Sequence, residues 1–88
     1  MNNWIEKSEP VSMEKRFEFK NYQGTKKFLD ELYLFSKQNQ IFPDISFGKS
    51  FASISIKPKT KEIKEINTQE RLFATIIDEL YQKILENN

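Results

Sequence analysis

The sequence predicts an α+β fold: a four-stranded antiparallel sheet with two helices on one face, in the order β-β-α-β-β-α. Three observations predict it. Residues 13–19 and 51–58 alternate apolar with polar side chains, the period of a strand buried on one face. Two longer segments, after Asn21 and after Asn67, carry apolar residues at helical spacing. Sheet and helices must then bury their apolar faces against each other, as two layers around one core.

The elements follow in chain order. Residues 4–7 read as a short, weak edge strand, broken by Glu9-Pro10, because the residue before a proline is restricted and proline donates no hydrogen bond. Over 13–19 the odd positions Met13, Phe17 and Phe19 are apolar, while Glu14, Arg16 and Glu18, continued by Lys20, make a solvated face. Lys15 is the exception on the apolar side. Asn21 is placed to cap a helix running to about Gln38, its side-chain oxygen accepting from an orphan N–H of the first turn. Phe28, Leu29, Leu32, Phe35 and Ser36 share one face of that helix; Asn39 and Gln40 end it, and Pro43 forbids continuation.

Residues 44–47 and 51–58 form a second pair of strands around Gly48-Lys49-Ser50. In the later one Ala52, Ile54 and Ile56 alternate with Ser53, Ser55 and Lys57, so one face is core and the other polar. The run Lys57-Pro58-Lys59-Thr60-Lys61 either keeps an edge soluble or meets an acidic surface. Asn67 and Glu70 fit a capping box, each side chain reaching the other's backbone N–H. The helix they open runs to about Glu86 with a wide apolar stripe: Leu72, Phe73, Ile76, Ile77, Leu80, Tyr81, Ile84 and Leu85.

Composition narrows the function. A chain of 88 residues has room for one domain, here 1–88, with 1–11 and 87–88 expected to fray. A domain this small buries only about 60% of its unfolded surface, so self-association would help it. The chain is 38% hydrophobic and 14% aromatic, with eight Phe, which is enough to fold. Fourteen basic and 13 acidic residues leave a net charge of +1 and no electrostatic case for nucleic acid or an anionic membrane. No apolar run approaches the roughly 20 residues of a membrane span, and Met1-Asn2-Asn3-Trp4 lacks signal-peptide character, so a cytoplasmic protein is expected. The absence of Cys removes disulfides and thiolate chemistry. The absence of His removes imidazole triads, His-zinc sites and the commonest general acid or base. No Gly-rich phosphate cradle is present, and no cofactor or metal is implied.

The order of elements, with Arg16-Phe17-Glu18-Phe19, the helix carrying Phe28 and the Pro43 that follows it, resembles the pterin-4a-carbinolamine dehydratase family over about residues 12 to 82. In the last helix Ile66-Asn67-Thr68-Gln69-Glu70, Phe73-Ala74 and Ile77-Asp78 are similar to that family's leucine-threonine-x-x-aspartate and leucine-alanine-x-x-isoleucine-aspartate pattern. The resemblance implies a His-His-Pro motif at Ile41, Phe42 and Pro43, a further histidine at about Lys59 and an aspartate at Glu70. Four catalytic positions are thus degenerate. Phe42-Pro43-Asp44-Ile45-Ser46-Phe47-Gly48 resembles the aromatic-Pro-Asp-x-Ser-Phe-Gly segment of the dehydratase-like Rubisco assembly factors associated with α-carboxysomes. That likeness implies a non-catalytic chaperone for the Rubisco large subunit, without small-molecule substrate.

Phe42, Asp44, Ser46, Phe47 and Gly48 are accordingly the candidate partner-binding residues, since an aromatic anchor beside polar groups is typical of an interface hot spot. Phe42 reads equally well as filling the emptied pterin pocket, while Ile45 and, by parity, Phe47 read as strand core. Phe51, with Ser53 and Ser55, lies on the polar strand face and points to contact with another subunit, hence a homodimer. Two other readings stay open: a dehydratase with rearranged groups, Lys59 and Glu70 among them, and a dimerisation cofactor of another protein.

Overall fold

The structure is a computed structural model and describes residues 3–86. Its elements are β1 (Ile5–Ser8), β2 (Val11–Glu18), α1 (Tyr22–Asn39), β3 (Asp44–Phe47), β4 (Phe51–Ile56) and α2 (Thr68–Glu86). The four strands form one antiparallel sheet in the order β1-β2-β4-β3, with both helices on one face. Fold class, element order and boundaries agree with the sequence to within two residues.

The register assigns the faces, because directly opposed residues point the same way. Met13 opposes Ile56, Lys15 opposes Ile54 and Phe17 opposes Ala52, and this side meets the helices. Glu14, Arg16 and Glu18 oppose Ser55, Ser53 and Phe51 on the open side. Under the helices an aromatic cluster forms: the Phe17 ring lies 5.1 Å from Phe28 and 4.9 Å from Tyr81, and Phe19 lies 5.2 Å from Phe28. The Tyr81 hydroxyl donates to the Glu18 carbonyl at 2.7 Å, so the one polar end of the cluster is satisfied.

Both caps form as the sequence predicts. Asn21 accepts from the Gly24 N–H at 3.0 Å. Asn67 and Glu70 exchange bonds, the Glu70 N–H donating to Asn67 at 2.7 Å and the Asn67 N–H to Glu70 at 2.8 Å. α1 ends on Gln40, left-handed at φ 56°, whose N–H donates back to the Ser36 carbonyl.

The expectation of fraying over 1–11 is corrected where it can be followed: Ile5–Ser8 pair with β2, and Trp4 is buried in the core. The cause is the lysine that looked misplaced. Lys15 Nζ lies 2.7 Å from Asp78 of α2, and Trp4 Nε1 donates to the same carboxylate at 3.1 Å. A cation on the core side of a sheet needs an anion, and Asp78 supplies it while fixing the N-terminal segment. Residues 1, 2, 87 and 88 lie outside the described residues.

A second correction concerns β3. Ile45 and Phe47 oppose the buried Ile54 and Ala52, as strand parity requires, yet they are 41% and 56% exposed. β3 is the edge strand, and its helix-side face is left uncovered. Leu72 and Leu85 likewise stand exposed at the margins of the α2 stripe.

Candidate functional site

Four element ends converge on one open cleft of about 400 Å³: the end of α1, the start of β3, the segment beyond β4 and the first turn of α2. The fold brings Ile41, Phe42, Lys59 and Glu70 together in its lining, although they are far apart in sequence. The left-handed turn at Gln40 and the rigid Pro43 place the loop between α1 and β3 on this cleft.

The side chains differ in what they offer. Ile41 packs partly against the core. Phe42 is 62% exposed, so it does not fill a pocket; it stands on the surface as an accessible ring. Glu70 is 4% exposed, and its carboxylate is engaged by the Asn67 N–H of the helix cap. Lys59 is exposed. Asp44 pairs with Lys57 at 2.9 Å, and that hydrogen bond, with the carboxylate's charge, pushes the Lys57 ammonium pKa up. Hydrocarbon, an exposed ring and an ion pair equip the cleft for shape and charge recognition.

The candidate binding residues do not share one face. Asp44 and Ser46 oppose Ser55 and Ser53 on the open side of the sheet, whereas Phe47 points to the helix side. Gly48 opens the turn into β4, its N–H donating to the Phe51 carbonyl at 3.0 Å. A Cβ at Gly48 would overlap the Phe51 ring, so the glycine is there for close packing. Asp44 and Ser46 are therefore exposed on the open face and Phe47 on the helix side, while Phe42 stands exposed in the loop that precedes them.

On the open face, Phe51, Ser53 and Ser55 are each half-buried. Phe51 is covered by the Arg16 guanidinium, 4.0 Å from the ring centroid, a cation–π contact that sequence parity places on one face but does not foretell. Sequence reasoning also missed the Trp4–Asp78–Lys15 cluster; the lone lysine at a core position was its signal. Among the described residues no group of acidic, Cys or His side chains is placed to hold a metal ion. No helix among them is long and apolar enough to cross a membrane.

Comparison with known proteins places this geometry. No protein-family model matches the chain, and no curated protein sequence matches it. Several solved structures are similar. One is a pterin dehydratase-like protein identified as a RuBisCO assembly factor in the alpha-carboxysome, 32% identical, with 91% of this chain and 90% of that chain covered at a TM-score of 0.80. Another is a transcriptional coactivator/pterin dehydratase from Brucella Melitensis, 11% identical, with 91% and 83% covered at a TM-score of 0.79, which shows the shared fold alone. The chain belongs to the pterin dehydratase-like family.

Proposed function

We propose that this protein is a non-catalytic assembly factor for the Rubisco large subunit, acting in α-carboxysome biogenesis as a homodimer. The observation that carries the reading is the 32% identity, over nine-tenths of both chains, to a protein described as a RuBisCO assembly factor. The cleft supports it. Dehydrating a carbinolamine needs a proton donor for the departing hydroxyl and a base for the ring nitrogen's proton. Ile41 and Phe42 transfer no protons, and the Glu70 carboxylate already accepts the helix-cap hydrogen bond. What is left is recognition: the exposed Phe42 ring as anchor, with Asp44 beside it in the cleft lining and Ser46, Phe47 and Gly48 following along β3 and its turn.

In this reading the protein covers apolar subunit surface until the subunit's own partners arrive. It uses no cofactor, nucleic acid or small-molecule substrate. The second copy docks through the open sheet face, at Phe51, Ser53 and Ser55, and two weak sites on a dimer gain avidity when both engage. Co-expression of large subunits with this chain tests the reading. Phe42→Ala and Asp44→Ala each lower the yield of assembled Rubisco while leaving the protein folded; wild-type yield with both variants contradicts it.

A further inference from the structure

The lysines beyond β4, which the sequence shows only as a charged run, are gathered by the fold into an open cavity of about 650 Å³ between residues 57–64 and the turn joining β1 to β2. Lys57, Lys59, Lys61 and Lys64 line it, with Val11 and Ile63 supplying apolar surface. Ile63 is 40% exposed. Glu9 is the one carboxylate in the lining among the described residues; Glu62 and Glu65 of the same connection do not line it. Lys57 is taken by Asp44, but no ion pair among the described residues involves Lys59, Lys61 or Lys64. In a chain of net charge +1 this is a local concentration of positive charge. Lys57, Pro58 and Lys59 also line the cleft beneath Phe42, so the two openings adjoin along this segment, and the lysine-lined one is an open trough of its own.

We propose that this trough docks an extended acidic segment of a protein partner, its carboxylates on Lys59, Lys61 and Lys64 and an apolar side chain against Val11 and Ile63. The occupant follows from complementarity: three ammonium groups lacking an acid of their own surround an accessible apolar floor, and opposed potentials steer association. Nucleic acid fits less well. The cavity lining contains no Arg to fork a phosphate and no aromatic ring on which a base stacks. The inference stands independently of the Rubisco reading and is tested without Rubisco.

Fluorescence anisotropy of the full chain tests it, using a fluorescein-labelled peptide alternating Glu with Leu, its twin with Lys for Glu, and a labelled oligouridine. Saturable binding of the Glu peptide alone is expected, weakening as salt is raised. Lys61→Glu with Lys64→Glu weakens it about tenfold or more, since each exposed attraction becomes a repulsion. Lys61→Gln with Lys64→Gln falls between; both pairs keep wild-type thermal unfolding because the side chains are exposed. The proposal is overturned by no binding of the Glu peptide, equal binding of its Lys twin, unchanged affinity in the reversed variant, or preference for the oligouridine.

Discussion

Phe42 and Asp78 occupy opposite ends of what a single side chain contributes here. Phe42 is mostly solvent-exposed, so Phe42→Ala is expected to shift stability by no more than about 0.5 kcal/mol, read from a urea midpoint. Asp78→Ala strands the Lys15 ammonium, whose side chain is 15% exposed, and removes the carboxylate to which the Trp4 indole N–H donates. A loss of about 2–3 kcal/mol is expected, with red-shifted Trp4 emission as the N-terminal segment releases. Gly48→Ala forces the Phe51 ring to move and costs about 1 kcal/mol, also seen in the urea midpoint. Legibility divides along the same line. The four positions proposed as degenerate, Ile41, Phe42, Lys59 and Glu70, could be nominated from the sequence because they are identities in a linear pattern, and the fold brings them into one lining. The Trp4–Asp78–Lys15 cluster was not, because it joins residues 63 and 74 apart in sequence.

Elements were legible where local chemistry decides them. The capping box of α2 is readable from two residues because both partners lie within one turn. Asn67→Ala is expected to cost about 1 kcal/mol by leaving the Glu70 N–H without its acceptor, measurable by thermal unfolding. β3 was half legible: alternation gave the faces of Ile45 and Phe47 correctly, but exposure depends on how far the helix layer extends, which no strand pattern contains. β1 is held by Lys7–Glu14 to β2 at 3.1 Å and by Arg71–Glu6 to α2 at 2.8 Å. The hydrogen bond from Arg71 lowers the Glu6 pKa, and that from Lys7 lowers Glu14, each below the ordinary glutamate value of 4.5. A carboxylate whose folded pKa is depressed stabilises the fold above its unfolded pKa and loses that contribution as pH falls through the folded one. Protection of the β1 amides, taken relative to intrinsic exchange at each pH, should therefore fall as the solution is acidified below about 4.5. Glu6→Gln with Glu14→Gln should flatten that dependence; an unchanged pH profile in the double variant contradicts it.

The whole molecule keeps the layered architecture of its family, and in the proposed reading it is the chemistry that changes at the place where four element ends meet. Its architecture was legible because period-two and period-3.6 patterns specify a sheet and two helices, and connection lengths leave few ways to stack them. The proposed site was nominated only by substitution, and the trough beside it became visible only once the fold brought the two connections together. The proposal at the scale of the whole molecule is that this surface binds a protein instead of turning over a pterin. Its most direct test is equilibrium binding between the purified protein and purified Rubisco large subunit, with wild type and Phe42→Ala side by side. Saturable binding by wild type, weakened about tenfold or more in the variant as for an interface anchor, is the expected result. Absence of binding by the wild type, at concentrations where the chain itself is folded, contradicts the account.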